Sequence, residues 1–316
     1  MTMSDWETVL TKGTPDPGAF TLLVAVDHPD HVQQLLRTAR DIARFEDGSV
    51  HVVSIVHKPH GSPFGLFDDE TIKAEFAGDR TAVLDRAVES GRGSDVDVSG
   101  SVIVARHVTG GILRAGKAVD ADAVLVGWDH ARRRRDAVLG SVVDALLERA
   151  EMDVLVERIG TTADGVESVL VPVAGSPHAA LAARVGGAIA AANDARLVLL
   201  AVATDDIDSR AAEEAVTTTE QALLEMWEGP EAARRSALDV QTQVSEGGSV
   251  ATAIAEAASA HDGVLMGATR GGALRRRLVG SNARAVADRT DRTVILTQHS
   301  SVKTGYLNVL GRLRRS

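Results

Sequence analysis

Short continuous apolar runs alternate with amphipathic stretches along most of the chain. The runs at 21–27, 50–56 and 102–104 have the length of strands. In the stretch after the first run, apolar residues recur from Val32 to Ala43 at i, i+3, i+4, i+7 and i+11, which is one face of a helix. Uninterrupted apolar runs are typical of strands covered on both faces. The pattern therefore predicts a parallel sheet with crossover helices.

The pattern occurs twice. An apolar run ends at Gly127 and the pair Gly140-Ser141 follows; a second run ends at Gly267 and Gly280-Ser281 follows. Both glycine pairs are 13 residues apart, and the two copies are offset by 140 residues. Each copy has the order β-α-β-α-β-α-β-α-β. We predict an α/β protein of two tandem doubly wound domains, each a five-stranded, mostly parallel sheet with helices on both faces.

The predicted domains cover 20–159 and 166–299, separated by a short Thr/Gly/Asp stretch near 160–165. Residues 1–19 form an N-terminal extension outside both copies. Residues 300–316 form a basic C-terminal tail with a short apolar stripe, for which we weigh docking on the acidic body, disorder, or contact with a membrane surface or partner.

Composition narrows the function classes. The chain has no cysteine, which excludes disulfides, thiol catalysis and cysteine-type zinc sites. Its net charge of −10, from 44 acidic and 34 basic residues, argues against nucleic acid as a partner. No secretory signal or transmembrane stretch is evident, so we expect a cytoplasmic protein.

The paired glycines suggest a ligand site. Gly127 and Gly267 stand at carboxyl ends of predicted strands, where open α/β sheets bind ligands. Gly140-Ser141 and Gly280-Ser281 stand where a helix begins, and free N–H groups with a hydroxyl suit a phosphate. These residues could also be ordinary turn and N-cap residues. Recurrence of the spacing favours an ancestral phosphate site.

The chain resembles the universal stress protein family, as two tandem UspA-type domains. The motif that carries the resemblance is G-x-x-G-x9-G-[ST], placed between the fourth strand and the last helix. The resemblance implies a Rossmann-like, adenine nucleotide alpha hydrolase-like fold. It also implies a bound adenine nucleotide, ATP or AMP, which could carry Mg²⁺. The implied binding residues are Asp27, Ile55, Gly127, His130, Gly140, Ser141 and Val142 in the first domain, and Val202, Gly267, Arg270, Gly280 and Ser281 in the second.

The two copies depart from the motif in different ways. His130 and Arg270 replace the second glycine, where a side chain could crowd the phosphates or, for Arg270, pair with one. The first-strand aspartate is Asp27 in copy one but Ala174 in copy two. Because Ala174 cannot accept a hydrogen bond, domain one is the better candidate for nucleotide binding.

Other motifs are weaker. Residues 111–118 resemble a P-loop but offer no hydroxyl at Ala118 and have helical spacing. The arginine runs 132–135 and 275–277 fit a solvated face, or an anion site for phosphates or an acidic partner. His28, His31, His57 and His60 could share one sheet edge as a metal site, although turn residues are the commoner outcome, and we assign no metal site.

The expected function is a stress-response regulatory protein that binds an adenine nucleotide. No nucleophile motif or general base is evident, so we assign no catalytic residue and expect at most slow, incidental ATP hydrolysis. The alternative is a nucleotide-free protein-interaction or transporter-regulating module. By resemblance, the fifth strands 153–157 and 293–297 would pair within the chain as a pseudo-dimer, and a homodimer or a signalling partner is also compatible.

Overall fold

The computed structural model describes residues 6–57, 78–129, 140–159, 165–174, 176–226, 238–268 and 280–300. The strands are β1 Trp6–Lys12, β2 Thr21–Ala25, β3 Ser49–His57, β4 Val98–Ala105, β5 Ala123–Asp129, β6 Asp153–Ile159, β7 Ser168–Pro172, β8 Arg196–Ala203, β9 Asp239–Glu246, β10 Gly263–Gly267 and β11 Thr293–Gln298. The helices are α1 Val32–Phe45, α2 Gly78–Gly91, α3 Val108–Ala118, α4 Ser141–Arg149, α5 Pro177–Ala192, α6 Ser209–Met226, α7 Val250–Ala258 and α8 Ser281–Arg289.

The chain divides into two compact units, 1–127 with 140–152, and 128–139 with 153–316. In the first unit the strand order is β1-β4-β3-β2-β5, with β4, β3, β2 and β5 parallel. Ile55 lies against α3 and Val56 lies beside Leu84 of α2, so helices cover both faces of this sheet. This is the predicted α/β architecture, and the strands of the parallel core are largely buried.

Strand β1 is an addition that the sequence analysis missed. The pattern placed residues 1–19 outside both copies, but Trp6–Lys12 pairs antiparallel with the outer edge of β4, from Trp6 opposite Ala105 to Lys12 opposite Gly100. Val9 is buried in one cluster with Val102 and Leu84. The strand thus closes an edge that would otherwise expose backbone groups and apolar side chains.

In the second unit the strand order is β6-β11-β10-β7-β8-β9. The five strands β7 to β11 are parallel, so their carboxyl ends lie at one edge. Strand β6 runs antiparallel to β11, from Val154 opposite Gln298 to Glu157 opposite Ile295. This is the pairing of fifth strands expected from the resemblance. By compactness, this last strand of copy one is grouped with the unit of copy two.

Arg158 of β6 fastens that strand to α8. Its guanidinium is buried and donates to the carbonyls of Ala287 at 2.7 Å and Thr290 at 2.6 Å, and also to that of Arg292. These carbonyls lie at the carboxyl end of α8, where helix carbonyls lack intrahelical partners and the dipole favours a cation. Burial lowers the pKa of Arg158 from its ordinary value. None of the described helices is long and apolar enough to cross a membrane.

Candidate functional site

The carboxyl edge of the first unit brings three of the predicted residues of copy one to neighbouring strand ends. Asp27 follows β2, Ile55 lies near the end of β3, and Gly127 lies near the end of β5; these three strands are neighbours and parallel. The Asp27 side chain is 74% exposed, whereas Ile55 is buried. An apolar wall next to an exposed carboxylate can accept a base and the hydroxyls of a sugar.

The loop that carries Asp27 is held by local hydrogen bonds. His31 Nδ1 lies 3.1 Å from Asp27 Oδ1, and His28 Nδ1 accepts from the Asp30 amide at 3.2 Å, which caps the short 3-10 turn of Pro29–His31. The guanidinium of Arg80, at the start of α2, donates to the Asp27 carbonyl. The carboxylate is therefore fixed at the mouth of the edge while remaining open to solvent.

The amino end of α4 has the geometry of an anion cradle. Gly140 is the N-cap, with φ of 106° and ψ of 148°, and a Cβ built there would meet no atom within 4 Å. The first intrahelical bond runs from the Asp144 amide to the Gly140 carbonyl, so the amides of Ser141 and Val142 precede it. Ser141 is exposed and Val142 half-buried. A positive φ is one that glycine adopts without strain.

Copy two differs from copy one at the glycine N-cap of its last helix. Gly280, the N-cap of α8, has φ of −58° and is buried. A Cβ at Gly267 would lie 2.8 Å from the Ala179 amide nitrogen and 2.8 Å from the His178 carbonyl carbon, so the start of α5 rests directly on the end of β10. Thr297 Oγ1 holds it there by donating to the His178 carbonyl at 2.9 Å. The chain's own backbone thus fills space beside the glycine of copy two.

Among the other described positions of copy two, Ala174 differs from copy one, whereas Val202 and Ser281 resemble Ile55 and Ser141 in exposure. Ala174 is exposed after β7 and supplies no acceptor, Val202 of β8 is 8% exposed, and Ser281 is exposed at the start of α8. His130, Arg270, His60, the arginine runs and the C-terminal tail beyond Ser300 lie outside the described residues.

The weaker motifs have other places in the fold. Among the residues that the structure describes, no group of three or more His, Asp or Glu could hold a metal ion, and His57 Nε2 donates to the Arg106 carbonyl at 3.0 Å. The P-loop-like glycines lie in α3, where a Cβ at Gly116 would lie 2.5 Å from the Met152 terminal methyl. They serve close packing of a helix, not a phosphate loop.

Two buried polar clusters were missed by sequence reasoning. His51 of β3 lies 2.8 Å from Ser99 Oγ and 3.0 Å from Ser101 Oγ, and burial lowers its pKa to about 4. The only sequence signal was a histidine inside an apolar strand. In unit two, the fully buried Asp153 accepts from the Ser300 amide at 2.7 Å, and its Oδ1 lies 3.0 Å from His299 Nδ1. This hydrogen bond raises the pKa of His299.

Comparison with known proteins gives the family. The profile of the Universal stress protein family matches the chain twice, at residues 20–158 and 165–298. Over 90% of this chain and 97% of the other, the fold is similar to a universal stress protein from Archaeoglobus fulgidus, with a TM-score of 0.58 and 14% identity. It is also similar, over 92% of this chain and 99% of the other, to the cytoplasmic domain of a prokaryotic cation chloride cotransporter, with a TM-score of 0.53 and 13% identity.

Among curated proteins, the chain is 25% identical over 160 residues to the Na⁺/H⁺ antiporter NhaS5 of Synechocystis. The match covers 50% of this chain and 22% of the antiporter, so it spans about a fifth of that relative. The two profile matches together include most of the chain and coincide with the repeat. The chain therefore belongs to the universal stress protein family, with two copies of the family domain in one polypeptide.

Proposed function

We propose that the protein is a stress-response regulatory protein whose first copy binds an adenine nucleotide, ATP or AMP. The observation that carries the proposal is the amino end of α4, where Gly140 adopts φ of 106° in open space and copy two has no equivalent. A glycine in this conformation lets a phosphate approach the first amides of a helix.

The other residues at this edge of the sheet would contact the phosphates, the sugar and the base of the nucleotide. Gly127 and Gly140 would let the phosphates approach the backbone, with the Ser141 hydroxyl and the Val142 amide as donors. Asp27 would accept from the ribose or the base, and Ile55 would pack against the adenosine. These groups bind and orient, and the proposed role is therefore regulatory binding; any Mg²⁺ would arrive with the nucleotide phosphates.

Copy one is preferred over copy two for two physical reasons. Ala174 stands where Asp27 would accept, and the N-cap glycine of copy two is buried with φ of −58°, whereas Gly140 has φ of 106°.

Calorimetric titration of the full chain with ATP and with AMP tests the proposal. We expect Asp27→Ala to weaken binding about tenfold, because a hydrogen bond to a charged acceptor is lost. Gly140→Ala should weaken it at least as much, because alanine is strained at φ of 106°. The matched control is Gly280→Ala, at φ of −58° in copy two, which should leave the affinity unchanged. No binding of either nucleotide below about 1 mM in the wild type, roughly −4 kcal/mol, would overturn the proposal.

A second candidate function is regulation of a membrane cation transporter without nucleotide. It is favoured by the similarity to the cotransporter cytoplasmic domain and to part of the Na⁺/H⁺ antiporter. Sodium-dependent proton flux would be measured in inverted membrane vesicles of the source cells, with and without added protein. A change in flux that Asp27→Ala does not alter would favour this function; an unchanged flux would count against it.

A further inference from the structure

The outer edge of β9 is open in the second unit. Six of its eight residues are exposed, all but Val240 and Ser245, and only β8 pairs with it among the described strands. In the first unit β1 covers the same edge of β4. Unpaired N–H and C=O groups along an edge strand can pair with another extended segment.

Strand β9 lacks the features that usually prevent such pairing. Edge strands are commonly protected by a lysine, a proline, a bulge or a charge in the middle of the strand. β9 reads DVQTQVSE, so its charges lie only at its two ends, and its eight residues pair with β8 in an unbroken register. At one end, Asp239 is already paired with Arg196 of its own chain, with Oδ2 and Nε 3.4 Å apart. The six central residues therefore form a regular, uncharged edge.

The backbone groups of alternate residues in β9 point away from β8. The Gly247 amide donates to the Ala203 carbonyl at 3.1 Å, so the backbone groups of Gly247 are directed at β8. Because these groups alternate in direction along a strand, those of Val240, Thr242 and Val244 are directed outward. A further strand at this edge would form its hydrogen bonds with these three residues.

The middle of β9 is a palindrome. Residues 240–244 read Val-Gln-Thr-Gln-Val, the same in both directions. If two copies of β9 run antiparallel about a two-fold axis at Thr242, each valine lies opposite a valine, Gln241 lies opposite Gln243, and Thr242 lies opposite its own counterpart. Side chains that lie directly opposite each other on neighbouring strands are the pairs that stabilise a ladder. The sequence of β9 therefore matches itself in this register.

The same register also suits the charges at the ends of the strand. Antiparallel strands form their hydrogen bonds only when outward-directed residues lie opposite each other. The end-to-end register, with Asp239 opposite Glu246, is excluded because the backbone groups of Asp239 are directed at β8 and those of Glu246 outward. With the axis at Thr242, Asp239 lies opposite Ser245 and Glu246 lies opposite Leu238, so no carboxylate lies opposite another.

We propose that two copies of the protein associate through their β9 edges, in an antiparallel ladder about a two-fold axis at Thr242. Each β9 would gain an antiparallel neighbour, as β4 has in β1. Val240 of one molecule would lie beside Val244 of the other, and Val244 is one of two large hydrophobic residues that the described part of the chain leaves exposed. Because a two-fold interface uses the same surface of both molecules, the assembly closes at a dimer.

Sedimentation velocity of the full chain, over a concentration series up to about 1 mM, tests the association. We expect a monomer–dimer equilibrium. Gln241→Lys combined with Gln243→Lys should weaken it about tenfold, because lysines then lie opposite each other twice. Gln33→Lys combined with Ser90→Lys, at exposed positions of the first unit, adds the same charge and should leave it unchanged. A chain that stays monomeric, or a dimer that the lysines of β9 do not weaken, overturns the proposal.

A pair of opposite charges on β9 tests the register without a change in net charge. Gln241→Lys combined with Gln243→Glu sets a lysine opposite a glutamate twice when the axis lies at Thr242, and should tighten the dimer about threefold. With the axis at Gln241 or at Gln243, like charges would lie opposite each other. A weaker dimer in this variant would therefore overturn the proposed pairing.

Hydrogen exchange distinguishes a second molecule from a segment of the same chain. The outward amides of Val240, Thr242 and Val244 should exchange about tenfold more slowly in the dimer, so their protection should rise with protein concentration. The Gly247 amide, bonded to Ala203, should keep its rate and is the internal control. Protection of the outward amides that is independent of concentration overturns the proposal, because the covering segment then belongs to the same molecule.

Discussion

The third strands of the two copies, β4 and β9, occupy the same position in their sheets and have opposite environments. Val102 pairs with Ser54 and is fully buried, whereas the matching Val244 pairs with Ala201 and is 37% exposed. On the inner side, each of these strands pairs in parallel with the second strand of its copy, β4 with β3 and β9 with β8. The difference is what lies on the outer side: β1 covers β4, and no described strand covers β9. Duplication thus conserved the sheet, while the chain outside the repeat determined which edge became core.

The sequences of the two strands agree with these environments. β4 reads VSGSVIVA and β9 reads DVQTQVSE, so small and apolar residues in copy one face polar and charged residues in copy two. In copy one, His51 lies beside Ser99 and Ser101. At the matching positions of copy two, Val198 replaces the histidine, and Gln241 and Gln243 replace the two serines. Copy one buries these polar groups by pairing them with each other, and copy two solvates them.

The largest expected effect is the pH dependence that His51 gives to the first unit. Its pKa in the folded protein is about 4, below the ordinary 6.5, because burial disfavours the charged imidazole. Protons therefore bind preferentially to the unfolded state, and stability is complete above pH 6.5 and lost as the pH falls from 6.5 to 4. The loss should reach about 3 kcal/mol by pH 4.

Hydrogen exchange of the β4 amides, corrected for intrinsic rates at each pH, measures this loss. His51→Gln keeps a hydrogen-bonding group beside the serines but cannot titrate, so its β4 protection should fall much less between pH 7 and pH 4. The amides of β8, where Val198 replaces the histidine, provide the internal control. An equal fall of β4 protection in wild type and variant would show that other groups cause the acid sensitivity.

A smaller loss of stability is expected from adding a side chain at Gly100 of β4, where the neighbouring strand leaves no room for one. A Cβ at Gly100 would lie 2.6 Å from the Val52 carbonyl oxygen, a backbone atom that cannot rotate away. Gly100→Ala should therefore lower the free energy of unfolding of the first unit by about 2 to 3 kcal/mol. Thr242→Ala, at the matching register of exposed β9, should cost under about 1 kcal/mol. Urea titration measures both, and equal costs would mean that the two strands are packed alike.

Much of this fold could be predicted from the sequence, and the failures have physical causes. The apolar runs and the repeated glycine spacing predict parallel strands because strands covered on both faces must be apolar. The convergence of Asp27, Ile55 and Gly127 follows, since neighbouring parallel strands end together. Strand β1 was missed because WETVLTK acquires its partner only through the edge of β4, far along the chain.

The difference between the two glycine N-caps could not be predicted either. Gly140 and Gly280 have the same local sequence, Gly-Ser, yet φ is 106° at one and −58° at the other. Glycine permits both conformations, so the surrounding structure decides. Similarly, the packing of α5 on Gly267 joins residues about 90 positions apart in the chain, His178 and Ala179 with Gly267. Sequence reasoning predicted a glycine N-cap in both copies but could not predict that their backbone conformations differ.

The smallest expected effect tests the comparison directly at one matched pair. Val102→Ala should destabilise the first unit by about 2 kcal/mol, because it removes two methyl groups from a fully buried side chain packed in one cluster with Val9 and Leu84. Val244→Ala should cost under about 0.5 kcal/mol, since its side chain already meets solvent. Deleting residues 1–12 should then bring the cost of Val102→Ala close to that of Val244→Ala, because Val9 and the β1 backbone no longer cover the site. If Val102→Ala remains costly without β1, then α2 alone buries this position, and the edge strand is not what distinguishes β4 from β9.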